Sequence, residues 1–269
     1  MKQTIWITGA TAGIGKALAL QYAAHGATLI LSARRKDVLK TVADECEQLG
    51  ADSAHYYVMD MENPSQIEEV ARRVLAEHPD INMLVNNAGI SQRSLVRDTE
   101  MDVYRRIMEI DFMAQIHLTK LLLPHFRSLP YSKIVVISSL TGKFSTPLRS
   151  GYAAAKHALH GFFDALRIEE RDQKVCVTMV CPGYIRTDVS INAVQGDGSR
   201  HNKMDDNQAD GMDPDTLARK IHEAVEDNKK EVYFGGKETT GVWLKRFFPN
   251  FLTNYLYKSF SDELKASAC

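Results

Sequence analysis

The sequence predicts an α/β fold: a doubly wound parallel sheet of seven strands with helices on both faces. Three observations lead there. Seven short β-branched runs alternate with longer helical patterns, most of these runs are continuously apolar, and a glycine-rich turn joins the first run to the first helix. Continuous apolar runs suit strands covered on both faces, and strand–helix alternation suits a parallel sheet. Ligands of such sheets sit beyond the carboxyl ends of the strands.

Strands are expected at Thr4–Thr8, Thr28–Ala33, His55–Met59, Met83–Asn86, Lys133–Ser138, Val175–Val180 and Glu231–Phe234. Helices are expected at Ile14–His25, Lys36–Leu49, Pro64–His78, Met101–Phe126, Tyr152–Asp172 and Pro214–Asp227. No linker rich in Pro, Gly or Ser interrupts the rhythm, so residues 1–269 are expected to form one domain. Two stretches depart from it. Val189–Met212 carries Gly196, Asp197, Gly198, Asp205, Asp206, Asp210 and Gly211 with few large apolar residues, which predicts a mobile substrate loop over 189–212. The other is an aromatic C-terminal extension over 236–269. Seven of the chain's 22 aromatics (10 Phe, 10 Tyr, 2 Trp) lie within Gly241–Phe260, beside Lys245, Arg246 and Lys258. They are Trp243, Phe247, Phe248, Phe251, Tyr255, Tyr257 and Phe260. Such a segment is expected to bury its rings, as a roof on its own pocket or against a partner subunit rather than on a membrane.

Composition narrows the function. With 44% hydrophobic and 25% charged residues, the 269-residue chain can build a sizeable core and is not a disordered type. Thirty-three basic against 34 acidic residues leave a net charge of −1, which excludes a nucleic-acid binder held by bulk charge. Cys46, Cys176, Cys181 and Cys269 form no CxxC pair and no metal-ligand spacing, so each is expected to be a buried or free thiol in a reducing compartment. No apolar stretch is long enough to span a membrane, and the first strand pattern starts too early for a targeting peptide before it. A cytoplasmic protein is the expectation.

The first strand runs into Thr8-Gly9-Ala10-Thr11-Ala12-Gly13-Ile14-Gly15 and then a helix. Gly9 suits a tight turn, while Gly13 and Gly15 let backbone approach a pyrophosphate and let helix meet strand. The helix N-terminus adds free N–H groups and a positive dipole end, so strand, turn and helix together point to a dinucleotide site. The second strand ends in Ser32-Ala33-Arg34-Arg35-Lys36, and the first acid after it is Asp37, inside the next helix. A free ribose hydroxyl wants an acid there, whereas a 2′-phosphate wants arginine. Arg34 offers a planar fork, Arg35 further charge or stacking, and the expected cofactor is NADP(H).

Tyr152 and Lys156 are one helical turn apart and share a face. An ammonium beside a phenol favours the phenolate, which equips Tyr152 to exchange a proton with a carbonyl or alcohol oxygen. Ser139 stands at the carboxyl end of the fifth strand, placed to hydrogen-bond an oxygen that gains charge. Ser138 reads as a strand residue satisfied by backbone. Asn86-Asn87-Ala88-Gly89 ends the fourth strand where backbone would border adenosine and ribose, and Pro182-Gly183, Ile185 and Thr187 follow the sixth, where a carboxamide can be held.

Taken together, TGATAGIG at 8–15, NNAG at 86–89, Ser139, YAAAK at 152–156 and PG at 182–183 resemble the short-chain dehydrogenase/reductase family in its YxxxK branch. The resemblance covers residues 3–235. It implies a Rossmann-type sheet of order 3-2-1-4-5-6-7 and a homodimer or homotetramer. It makes Tyr152 the general acid/base, Ser139 the group that orients the carbonyl, and Lys156 the residue that binds the nicotinamide ribose and favours the phenolate. It sets Asp60 and Met61 against adenine, Asn87 near the ribose and Thr187 on the carboxamide. The arginine pair resembles NADP-preferring members, and 182–212, with GDGS at 196–199, resembles hydroxysteroid and retinoid-type reductases. One position departs: Asp111 stands where the family commonly has an Asn lining a water path to the lysine. Ionised, it would pair with Lys156; protonated, it can still donate.

The expected function is NADP(H)-dependent interconversion of a carbonyl and an alcohol, acting on CH–OH groups. The alternative is a catalytically idle NADP(H)-binding sensor or scaffold. A third reading keeps the fold but moves the chemistry to enoyl reduction or epimerisation. Phe144, Leu148, Tyr184 and the aromatic tail predict an apolar pocket and a lipid-like carbonyl substrate. His157 and His160 lack a third ligand at zinc-like spacing and are read as core or surface residues rather than metal ligands. The helix holding Asp111 and His117 is read as an oligomer face.

Overall fold

The computed structural model describes residues 2–266. Cys269 lies outside the described residues. Thr4–Thr8 (β1) is buried at every position, as a strand between two helical layers must be. Its side chains alternate between two cores: Ile5 and Ile7 face one layer and Trp6 the other. Around it lie β2 Thr28–Ala33, β3 Ser53–Val58, β4 Met83–Asn86, β5 Ser132–Ile137, β6 Val175–Pro182 and β7 Glu231–Phe234. All pair in parallel in one seven-stranded sheet of order β3-β2-β1-β4-β5-β6-β7, as the resemblance implied. The chain steps from β1 outward to β3 and returns to the other side of β1 at β4. That reversal opens a crevice at the carboxyl ends of the two strands.

The layers follow from helical periodicity. On one face, α1 Gly13–Ala23, α2 Lys36–Leu49 and a later helix at Pro214–Glu226 bury Leu18, Leu39, Val42, Leu217 and Ile221. On the other, α3 Pro64–Glu77 contributes Ile67 and Val74. The expected single helix over Met101–Phe126 is instead α4 Met101–Met108, a π-helical turn Glu109–Met113 and α5 Ala114–Ser128. The wide turn carries Asp111 inward, where its Oδ1 accepts a hydrogen bond from the Ile90 N–H at 2.8 Å. Leu118, Leu122 and Phe126 of α5 then pack beside Leu159 and Phe163 of α6 Ser150–Glu169.

Other boundaries shift for local reasons. β6 continues through Cys181 and Pro182 because these pair with Tyr233 and Phe234 of β7. α1 ends at Ala23, ahead of Gly26, whose φ of 73° takes the left-handed turn out of the helix. The segment 189–212 is tethered rather than loose. Val194 exchanges backbone hydrogen bonds with Ser91 and Arg93, and the short helix α7 Asp206–Ala209 follows Asp205, which two arginines hold. The helix at Pro214–Glu226 is α8, capped by Asp213, whose side chain accepts from the Thr216 N–H.

The C-terminal extension is helical: α9 Thr240–Phe247, α10 Pro249–Ser259 and α11 Ser261–Ala266. The expected burial of its aromatic rings is met only in part: Phe260 is half-buried, and six other rings are exposed. Val242, Leu244, Leu252 and Leu256 form the inner face against Leu140, Phe144 and Cys181; Phe251, Tyr255 and Phe260 border the cleft at its rim, and Trp243, Phe247, Phe248 and Tyr257 lie exposed away from it. Two turns of helix have one inward stripe, and aliphatic residues fill it.

Leu122 is fully buried at the centre of the second layer. Leu122→Ala is expected to cost about 2–5 kcal/mol through the cavity it leaves. A urea unfolding midpoint unchanged from wild type would contradict that packing.

Candidate active site

The glycine turn is built by backbone that only glycine tolerates. Gly9 and Gly13 have φ of 67° and 53°, in the left-handed region. A Cβ on Gly15 would collide with the Gly9 carbonyl oxygen, so Gly15 packs behind the turn and does not line the cleft. The α1 N-terminus has no side-chain cap and no acid in its first turn, so its donors face the cleft unclaimed by side chains. Arg34 and Arg35 line the same end, and the Arg35 guanidinium donates to Thr11 Oγ1 at 3.2 Å. Such a cradle fits the pyrophosphate and adenosine half of a nicotinamide dinucleotide. Asn87 donates through its amide to Thr8 O at 2.9 Å and Gly9 O at 3.3 Å, so its side chain shapes the turn itself.

A cleft of about 1190 Å³ runs from this turn along the strand ends. Thr11, Ala12, Ile14, Asp60, Met61, Ala88, Gly89, Pro182, Gly183, Ile185 and Thr187 all border it. Ser139, Tyr152, Lys156 and Asp111 do so as well. Phe144 and Tyr184 border it too, but Leu148, expected there, does not; its carbonyl accepts from the Ser94 N–H instead. The Ser139 hydroxyl accepts from the Thr141 N–H at 3.2 Å and lies 2.9 Å from the Thr141 hydroxyl.

Lys156 is almost wholly buried. Its ammonium donates to Ile137 O at 3.2 Å, lies 3.5 Å from Asp111 Oδ2 and stands 5.5 Å from the centre of the Tyr152 ring. The Asp111 contact is an ion-pair separation, since Oδ2 has no hydrogen-bond partner. Burial pushes the Asp111 carboxyl above the usual carboxylate range, and the Lys156 charge and Ile90 N–H pull against it. The Asp111 carboxyl therefore faces the site.

Several residues near the site escape a reading by motif. Gln92 is fully buried, and its Oε1 accepts from the Gly151 N–H at 2.7 Å and the Tyr152 N–H at 3.4 Å. It caps α6 from outside the helix and so sets where Tyr152 emerges. Arg93 and Arg149 both grip Asp205 Oδ2, at 2.6 and 3.1 Å, on the side of the cleft bordered by 189–212. The backbone of Ser138 is paired in the sheet as expected, but its hydroxyl lies 3.0 Å from His160 Nε2. That buried ring also meets Cys181 Sγ at 3.7 Å and Glu231 at 3.4 Å, whereas His157 is exposed. Burial pushes the Cys181 thiol up to about 12, which makes it an unreactive core thiol.

The raised Asp111 carboxyl gives a pH signature. In acid, below about pH 4, the group is neutral folded and unfolded and costs nothing. As pH rises the unfolded chain releases a proton that the folded protein keeps, so stability falls until the folded group also ionises. Asp111→Asn lacks this loss. Its melting temperature relative to wild type is expected to rise as the pH climbs above about 4, with little difference at the acid end. A constant gap across that range would contradict the direction.

Comparison with known proteins agrees with this geometry. Residues 3–198 match the family model described as short chain dehydrogenase. A dehydrogenase/reductase SDR family member 7B from Xenopus tropicalis is 37% identical over 265 residues, covering 96% of this chain and 86% of that protein. A short chain dehydrogenase/reductase from Burkholderia phymatum, solved with NAD, has a TM-score of 0.80 at 20% identity, covering 91% of this chain and 93% of that one. An alcohol dehydrogenase from the archaeon Thermococcus sibiricus, complexed with 5-hydroxy-NADP, has a TM-score of 0.76 at 24% identity, covering 88% and 97%. These two structures share the fold. On the family match and the relatedness to the Xenopus protein, the chain belongs to the short-chain dehydrogenase/reductase family of nicotinamide-dependent oxidoreductases.

Proposed function

We propose that the protein interconverts a carbonyl and an alcohol with NADP(H), using Tyr152 as general acid/base. One observation carries this reading: Ser139, Tyr152 and Lys156 border the same cleft as the glycine turn and the arginine pair. Gly9, Thr11, Ala12, Gly13, Ile14 and the α1 N-terminus would hold the pyrophosphate, with Gly15 packed behind the turn and Asp60 and Met61 beside adenine. Asn87, Ala88 and Gly89 would border the ribose, and Pro182, Gly183, Ile185 and Thr187 the nicotinamide. When bound, the reduced nicotinamide supplies a hydride to the carbonyl carbon.

The chain's own residues handle the oxygen. Ser139 donates a hydrogen bond to it and holds the carbonyl in line. Tyr152 gives up its phenolic proton as charge develops there, and the carbonyl becomes an alcohol. Lys156 favours the phenolate left behind and donates to the ribose. In the oxidative direction Tyr152 takes the proton back. No observation favours an idle nucleotide-binding protein, because Ser139, Tyr152 and Lys156 are all in place.

NADP(H) is supported by Arg34 and Arg35 and by the absence of an acid before Asp37. The two structural relatives hold NAD and a NADP derivative respectively, so this preference rests on the arginines. An apolar substrate is supported by Leu140, Phe144, Tyr184, Leu244 and Leu252 along the cleft. We therefore favour a lipid-like ketone or aldehyde.

Tyr152→Phe is expected to lower kcat by about 10²–10⁴-fold while NADPH affinity stays within about twofold. Steady-state turnover with a panel of steroid, retinal and quinone carbonyls, beside a fluorescence titration of NADPH, checks both. Undiminished turnover would remove Tyr152 from the proton transfer. Arg34→Ala is expected to weaken NADPH by about tenfold or more and NADH little, the loss of one charge-assisted hydrogen bond. Equal weakening of both would assign Arg34 elsewhere.

A further inference from the structure

The outer face of α9 and α10 is the largest physical anomaly of the molecule. Trp243, Phe247, Phe248, Phe251, Tyr255 and Tyr257 are each more than half exposed. The Trp243 ring lies 5.1 Å from that of Phe247 and 5.3 Å from that of Phe248, so these three already form a cluster. The helices beneath are firmly seated. Leu252 is buried, and Gly241 approaches Phe144 so closely that a Cβ there would stand 2.6 Å from the ring. A docked scaffold therefore holds the rings toward solvent, at a cost that a free surface would not repay.

Charge says what covers them. Thr240–Phe260 contains Lys245, Arg246 and Lys258 and not one Asp or Glu. All three cations are exposed, and none has an ion-pair partner among the described residues. A second copy is a poor fit. A two-fold contact would set this patch against itself, bringing three positive charges onto three, while the nearest acids in sequence, Asp262 and Glu263, lie beyond both helices in α11. An anionic bilayer fits both halves of the pattern. Trp, Tyr and Phe rings settle at the boundary between headgroups and acyl chains, while Lys and Arg extend to phosphates and carboxylates.

We propose that the aromatic and basic face of α9 and α10 docks the protein peripherally on an anionic lipid surface. The helices have eight and 11 residues, so they lie in the interface, and no helix among the described residues is long and apolar enough to cross a membrane. Phe251, Tyr255, Leu256 and Phe260 also line the cleft. Docking by this face thus sets the cleft mouth against the bilayer, where an apolar carbonyl can enter without crossing water. That consequence rests on the function proposed above; the docking itself does not.

The test uses the purified full chain in a vesicle flotation assay. Vesicles are of phosphatidylcholine alone or with about one third phosphatidylserine. Trp243 reports directly, because the chain's other tryptophan, Trp6, is fully buried. The expected result is flotation with the anionic vesicles and a blue shift of tryptophan emission, both reversed by about 0.5 M salt. Replacing Lys245, Arg246 and Lys258 by Gln is expected to weaken binding by about fivefold for each charge. Phe247→Ser with Phe248→Ser is expected to remove the remainder, and circular dichroism reports whether these variants keep the fold. Wild-type protein that floats with neither vesicle overturns the proposal whatever the enzymatic activity. Equal binding to both vesicles overturns the anionic assignment. A wild-type dimer that the Phe247 and Phe248 changes dissociate shows instead that a second copy covers the face.

Discussion

The site depends on how the carboxyl ends of β1 and β4 are joined. Thr8 Oγ1, fully buried, donates to Val85 O at 3.2 Å and accepts from the Asn87 and Ala88 N–H groups at 3.0 and 3.1 Å. Three backbone groups at the topological reversal are thereby satisfied by one hydroxyl. The glycine turn hangs from the same point, because the Asn87 amide donates back to Thr8 O and Gly9 O. A buried strand end leaves polar groups that must be paired, and here the pairing shapes the glycine turn.

At the other end of the cleft the controlling constraint is a buried charge. Lys156 has a backbone carbonyl and one carboxylate for company, and that carboxylate is itself fully buried. Each of the two groups is costly to bury in its charged form, and a charge on either favours a charge on the other. The π-helical turn makes the arrangement possible, since it turns Asp111 inward between two regular helices. Gln92, reaching over from the loop after β4, holds the start of α6. The face of α6 that carries Tyr152 and Lys156 is thus fixed by groups distant in sequence.

The C-terminal helices complete the cleft and alter the character of the surface. Their inner stripe extends the core around Leu140 and Phe144, next to Ser139. Their outer stripe presents rings and cations, so one short segment borders both the apolar cleft and the solvent. The opposite wall is polar and tethered, with Arg93 and Arg149 sharing Asp205.

Much of this was legible in the residues alone. The strands came through because a strand covered on both faces must be apolar throughout, and the glycine turn because its φ values and close contacts admit nothing larger. Tyr152, Lys156, Ser139 and the arginine pair lie within or beside such elements, so local spacing found them. Tertiary structure decided the rest, for reasons that spacing cannot encode. The cap on α6 comes from Gln92, in another loop. The break in the expected long helix serves a hydrogen bond to Ile90. Trp243, Phe247, Phe248 and Tyr257 of α9 and α10 face outward because aliphatic neighbours, apolar as they are, fill the inward stripe. Which of two apolar stripes is buried depends on the shape of the surface beneath, and that surface exists only once the sheet has assembled.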